Sequence, residues 1–324
     1  MNVFTSGASA LCLTLAVGAA AQAATPPAEI LIPGERVFPE SLTSTADGTV
    51  IIGSIGAKTI FRAKPGSASA EAWIQPGTDG MNAIFGVFAD EKSGTLYACS
   101  GGLAFGPPPA GRPPIVSTLH TFDLKTGAPK GHYPLPTAGA SCNDIAVGSD
   151  GTAYATDTGN MQVVRLKKGA KELEVWAGAG GEFGPKGGVL DGISVLGDRV
   201  IVNALFTSKL FSAPIGKDGK VGTVTEIKLD NPIMRPDGMR SFGKSSLLVV
   251  EGSNGGRLSR VDLTGDNGKV TSVKDGFPGG PVAVTVVGTT GYVAEGQLSL
   301  LMGRGDPSAK ATPFHAVAVA VGKP

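Results

Sequence analysis

Cysteine is scarce in this chain, three in 324 residues. No CxxC pair or Cys/His spacing of a zinc site is present. Histidine is as rare, at three residues, and no Gly-x-Ser-x-Gly elbow or Ser/His/Asp order supports a serine hydrolase. Net charge is only +1, and the basic residues are scattered apart from Lys167-Lys168. This excludes the footprint of a nucleic-acid binder or of a protein held on an anionic membrane. Beyond residue 23 no apolar run is long enough to cross a bilayer as a helix, and no long amphipathic helical period is found. Glycine, in contrast, is abundant, at 49 residues. It punctuates short runs of Val, Ile and Leu, which is the composition of an all-β chain with many turns.

Residues 1–23 read as a secretory signal. Residues 10–21 are apolar, and Ala21-Gln22-Ala23 has the small-residue form of a cleavage site. No Lys or Arg precedes the apolar run, so the N-terminal amine supplies the positive charge. Leu11-Cys12 is a poor lipidation site, and Cys12 is expected to leave with the signal. Residues 24–324 are then expected to form a single exported domain, secreted or periplasmic. Cys99 and Cys142 remain; export permits a disulfide between them without requiring one, but a core this large needs no staple, and two small buried side chains are the expectation.

Six segments share one grammar. Each has an apolar strand, a turn with Asp, Asn or Gly, a second apolar strand and a third. They cover residues 41–62, 84–123, 143–166, 192–215, 238–263 and 282–302. Their turns are Ala46-Asp47-Gly48, Lys92-Ser93-Gly94, Ser149-Asp150-Gly151, Gly197-Asp198, Gly243-Lys244-Ser245 and Gly288-Thr289-Thr290-Gly291. Ahead of four of these segments stand short acidic or amide tags: Pro39-Glu40-Ser41, Cys142-Asn143-Asp144, Leu190-Asp191-Gly192 and Pro236-Asp237-Gly238. After a first gap about twice as long, they recur roughly every 45 residues, the length of a propeller blade. Six such units predict a six-bladed β-propeller; a pair of β-sandwiches suits the even spacing less well. Ring closure needs a strand from each terminus, and Ile30-Leu31-Ile32 and residues 315–321 are the candidates. Two loops, residues 101–114 with consecutive prolines and residues 178–188, interrupt the pattern.

A propeller brings equivalent points of successive blades around one axis. The tags should therefore converge. Glu40, Asp191 and Asp237 would raise one another's pKa if gathered without a counter-charge. A divalent cation removes that conflict, and Asn143 adds a neutral oxygen. Such an oxygen shell suits calcium first, with magnesium, manganese or zinc as other candidates. The ion would polarise an ester or lactone carbonyl, with Asp237, or else Asp191, as general base. Asn82, ahead of the second repeat, is a further candidate to reach substrate. Each tag taken singly is an ordinary turn former; the shared spacing makes them a site. Trp73 and Trp176, in third-strand positions, read as packing between blades.

At these tags the chain resembles the senescence-marker-protein-30/gluconolactonase/LRE-like family of six-bladed, calcium-type lactonases. The resemblance rests on Pro39-Glu40-Ser41, on Cys142-Asn143-Asp144 followed by Ser149-Asp150-Gly151, and on Pro236-Asp237-Gly238-Met239 continuing to Asn254-Gly255-Gly256-Arg257. It implies a metal held by Glu40, Asp191, Asp237 and Asn143, Asn143 contacting substrate, and Asp237 as catalytic base. Asp191 stands where the family has an amide, Ser141 where sugar-lactone enzymes often carry a basic residue, and Ile145 where a glycine follows Asn-Asp. The expected partner is a small-molecule substrate and the expected state a monomer. A non-catalytic binding propeller and a strictosidine-synthase-type propeller are the competing readings.

Overall fold

The structure is a computed structural model describing residues 1, 3, 26–102, 115–252, 255–304 and 308–324. The signal segment, most of the proline-rich loop and Asn254 lie outside the described residues. Six sheets follow one another along the chain, antiparallel throughout except for Lys228–Leu229, which pairs parallel with Asn267–Asp275. Their innermost strands are Pro39–Ser44, Ala83–Asp90, Cys142–Val147, Leu190–Leu196, Pro236–Phe242 and Pro281–Val287. Each contacts the innermost strand of the next blade, and the last returns to the first, so the ring is closed. The chain is a six-bladed β-propeller, as its repeat length predicts.

Within blades one to four the strand order follows the chain, because each hairpin turn lays the next strand beside the last; blade five adds the earlier strand Lys228–Leu229 and blade six the N-terminal strand Glu29–Ile32 at the outer edge. The glycine in each of the six hairpins, Gly48, Gly94, Gly151, Gly197, Gly243 and Gly288, has a positive φ between 61° and 93°. A side chain would be strained there. Second strands such as Val50–Ser54 and Ser246–Glu251 are buried throughout, as sheets packed on both faces require. Their side chains form apolar clusters between neighbouring blades, for example Ile51, Ile60 and Ile74 of the first blade with Ile84, Val87 and Leu96 of the second. Trp176 packs edge-on to Tyr154 at 4.8 Å and donates to the Gly219 carbonyl, and Arg62 covers Trp73 at 4.4 Å. Neither indole lines the axial cavity.

The sixth blade closes the ring. Strand Glu29–Ile32 pairs antiparallel with Phe314–Ala320, Glu29 opposite Val317 and Ile32 opposite Phe314. The two candidate closing segments are thus joined, and the N- and C-terminal ends of the domain are stitched into one sheet. The outermost strands were not legible in the repeat grammar. Pro129–Pro134 and Asn267–Asp275 are largely exposed, so no apolar alternation marks them. Cys99 and Cys142 form a disulfide, which ties the second strand of blade two to the innermost strand of blade three. Among the described residues no helix is long and apolar enough to cross a membrane.

Candidate functional site

Every innermost strand is irregular near its start. The pairing register slips between Pro39 and Ser41, Ile84 and Val87, Cys142 and Ile145, Leu190 and Ile193, Pro236 and Met239, and Pro281 and Ala283. Each slip is a β-bulge, a device that re-aims a side chain. The first residue inside each bulge is Glu40, Phe85, Asn143, Asp191, Asp237 and Val282 in turn. The tags are therefore the bulges, and the long first gap between them is explained. Blade two has the same bulge, but fills it with Phe85-Gly86.

The bulges are held by their neighbours. Gly86, Gly192 and Gly238 lie so close to the next blade that a Cβ would stand 2.3–2.6 Å from the carbonyl oxygens of Asn143, Asp237 and Val282. Asn203 accepts from the Gly192 N–H at 3.1 Å and donates to the Asp237 carbonyl at 2.6 Å. Thr156 donates to the Asp191 carbonyl at 2.7 Å and accepts from the Asp144 N–H at 3.0 Å. Thr158 accepts from the Asn143 amide at 3.1 Å. Phe38, Val189 and Arg235, each two residues before a carboxylate tag, have φ values of 45°, 59° and 51°. Their carbonyls accept from the N–H groups of Ile55, Leu205 and Gly252. A β-branched residue such as Val189 costs about 1–3 kcal/mol in that region, a cost that concentrates beside the site.

Glu40, Asn143, Asp191 and Asp237 all line one axial cavity of about 400 Å³. The structure thus brings all four tag residues together. They also line a small pocket beneath it with Asp144 and Gly238. Burial pushes the Glu40 carboxyl well above its ordinary range, reinforced by Asp191 and Asp144. Burial and then Asp237 do the same to Asp191; burial and then Glu40 do so to Asp237. Glu40 Oε2 and Asp144 Oδ1 are buried with no hydrogen-bond partner. Among the described residues no three His, Cys, Asp or Glu side chains are already gathered as a metal cage. The donors are nonetheless all oxygen, and the unpartnered Glu40 oxygen and mutually repelling carboxyls suit a hard divalent cation.

Asn82 is not among the cavity-lining residues. Its side-chain oxygen accepts from the Ala83 N–H at 3.0 Å, and its own N–H donates to Ser100 at 2.8 Å. Glu251 ends its strand by accepting from the Met234 N–H and pairing with Arg257. His120 and His132 flank Asp79, and His315 lies 3.5 Å from Glu29; none of the three lines the cavity.

The sequence reading missed Arg240. Its guanidinium lies buried under the site and spans the channel from blade five. It donates to Asp144 Oδ2 at 2.7 Å, to the Met239 carbonyl at 2.8 Å, to the Leu42 and Val87 carbonyls at 3.0 and 3.1 Å, and to Ser41 Oγ at 3.2 Å. Four blades thus meet on one side chain. The available signal was an arginine within an inner strand, three residues after Asp237.

No family model matches the chain, and no curated protein matches it. Solved structures do resemble it. A gluconolactonase from Xanthomonas campestris is 14% identical, with 88% of this chain and 87% of that chain covered at a TM-score of 0.60. Regucalcin from Agrobacterium tumefaciens, described as a calcium-binding protein, is 14% identical over 91% and 97% at 0.57. Virginiamycin B lyase from Staphylococcus aureus is 17% identical over 80% of each chain at 0.54. At these identities the likeness is one of fold. The chain shares the propeller architecture of the gluconolactonase and regucalcin structures, in agreement with the resemblance seen at the tags.

Proposed function

We propose that the chain is an exported, divalent-metal-dependent hydrolase of a lactone or related ester. The observation that carries this reading is the convergence of Glu40, Asn143, Asp191 and Asp237 at one end of the channel, with three carboxyls raised by burial and by one another. The gluconolactonase and regucalcin among its structural neighbours support the same class.

Glu40, Asp191, Asp237 and Asn143 would hold the cation. When bound, a divalent cation supplies carbonyl polarisation and a counter-charge for the carboxyls. The remaining chemistry belongs to side chains. With the counter-charge in place Asp237 is ionised and accepts a proton from the attacking water. The water oxygen bonds to the carbonyl carbon, the carbon–oxygen bond of the ring or ester breaks, and the proton passes from Asp237 to the leaving alkoxide. The Asn143 amide, fixed by Thr158, orients the substrate. Asn203 and Thr156 hold the Asp237 and Asp191 backbones, so the carboxyls meet substrate in a set geometry.

Calcium, magnesium, manganese and zinc titration of the chelator-stripped protein, followed by a lactone panel with and without metal, tests the reading. Saturable binding that switches on hydrolysis is expected. Saturable binding with no turnover would leave a binding propeller braced by an ion. Absence of binding would make the tags structural turns.

A further inference from the structure

We infer that the substrate of this cavity has an apolar body, as in an alkyl- or aryl-substituted lactone or ester, and is not a polyhydroxylated sugar lactone. The inference rests on the hydrolase reading and extends it to the part of the substrate that does not react. The six bulge positions set the floor. Blades one, three, four and five supply Glu40, Asn143, Asp191 and Asp237, but blades two and six supply Phe85 and Val282. The equivalent positions are thus split by chemistry. Above the floor the wall is apolar, with Ile55, Leu205, Phe206, Phe277 and Leu298 all lining the same space.

Phe206 is the least expected of these. It is half exposed at 50%, and the Arg235 guanidinium lies over its ring at 5.1 Å. An aromatic ring left half open to water at the edge of a cavity with a largely apolar wall is surface that a ligand can cover.

The polar groups do not compensate. Of the side chains lining the wall, Thr158 is engaged with Asn143 and the Leu190 carbonyl, which leaves Ser141 and Ser299 as the small hydroxyls. Arg235 and Arg304 are exposed at the rim. A sugar lactone entering this space would lose water from several hydroxyls that the wall cannot pair, and unpaired buried hydroxyls are unfavourable. An alkyl or aryl body loses nothing comparable and gains from burial.

The test is a series of five-membered lactones with alkyl tails of increasing length, run beside gluconolactone on the metal-loaded protein. We expect kcat/KM to rise about fourfold per methylene until the cavity is filled, and gluconolactone to be the poorest substrate. Phe206→Ser should flatten the dependence of kcat/KM on tail length. Leu205→Ser, on the same wall, is a second variant should the first fold poorly. Turnover that is independent of tail length, or a preference for gluconolactone, overturns the inference and leaves the hydrolase reading standing. Calorimetric titration with the same lactones separates the other case. Affinity that grows with the tail but brings no turnover supports the apolar occupant and sinks the hydrolase. Neither binding nor turnover overturns both.

Discussion

Replacing Arg240 by Met should be among the most destabilising single changes in this protein. The methionine fills much of the same space but removes the charge. Asp144, with only 6% of its side chain exposed, would lose its guanidinium partner while lying beneath three carboxyls that it already pushes upward. The carbonyls of Leu42, Val87 and Met239 and the Ser41 hydroxyl lose their shared donor at the same time. Breaking one side of a buried ion pair costs about 3–5 kcal/mol. For a domain of about 300 residues, an unfolding entropy of about 2.1 cal/mol/K per residue converts that to a fall in Tm of roughly 5–8 °C. Urea unfolding at pH 7 followed by circular dichroism provides the measurement, with an unchanged m-value as the check that only stability has moved.

The companion variant makes the reasoning refutable. Arg240→Met combined with Asp144→Leu removes both charges, so the cost of burying an unpaired carboxylate disappears and most of the lost stability should return. If Arg240→Met costs less than about 1 kcal/mol, which is the range of exposed pairs, or if the double variant is no better than the single, the ion pair is not the hub of this channel.

The metal-free protein should lose stability as pH rises above about 4, the ordinary carboxylate range. Glu40, Asp191 and Asp237 have raised pKa values in the fold, so the folded state holds more protons than the unfolded chain there, and stability falls with pH. Calcium at about 100 times its pH 8 Kd should add about 2.7 kcal/mol, or roughly 4 °C in Tm, at pH 8, and the same calcium concentration should add less at pH 5; an equal gain at both pH values would contradict the coupling. Asp237→Asn should lower kcat by about 10²–10⁴-fold and raise the Tm of the metal-free protein at pH 8, because it removes one member of a repelling set; unchanged activity would dismiss Asp237 as the base. Cys99→Ser with Cys142→Ser should cost up to about 4 kcal/mol, the closure entropy expected for a separation of 43 residues. Matching midpoints for the oxidised protein and this variant in thermal melts would show that the crosslink contributes nothing.

The architecture was legible because it repeats. A turn glycine, an apolar strand and an acidic or amide tag returning at blade spacing are local features, and each local choice agrees with the ring. The convergence of Glu40, Asn143, Asp191 and Asp237 follows from that periodicity without knowledge of any contact. Arg240 was illegible for the opposite reason. Its role depends on carbonyls of blades one and two and a carboxylate of blade three, up to 198 residues away in sequence. No spacing rule links such partners. Asn203 and Thr156 share that character. They sit inside second strands and act on the backbone of the next blade, so in sequence they are merely polar residues interrupting an apolar run. Asn82 shows the converse limit. Its position ahead of a blade matched the pattern, but the bulge of blade two begins at Phe85, and the amide is used by its own neighbour.

The placement of charge in the channel has a consequence for how the site is poised. Arg240 and Asp144 neutralise each other as a buried pair, and Arg240 spends its other hydrogen bonds on backbone carbonyls and a hydroxyl of neighbouring blades. The lower channel is therefore locked by a pair that needs no ligand. Just above it, Glu40, Asp191 and Asp237 have no such partner; Asn203 and Thr156 fix the backbones of the two aspartates but leave the negative charge uncompensated. A site built in this way is rigid in its main chain and leaves Glu40 Oε2 buried without a partner. Its carboxyls are held at low proton affinity only when positive charge arrives from outside. The rigid lower pair has no positive charge to spare for these carboxyls, so the metal-free fold relieves their repulsion by holding protons, and a bound cation is what would let them ionise together.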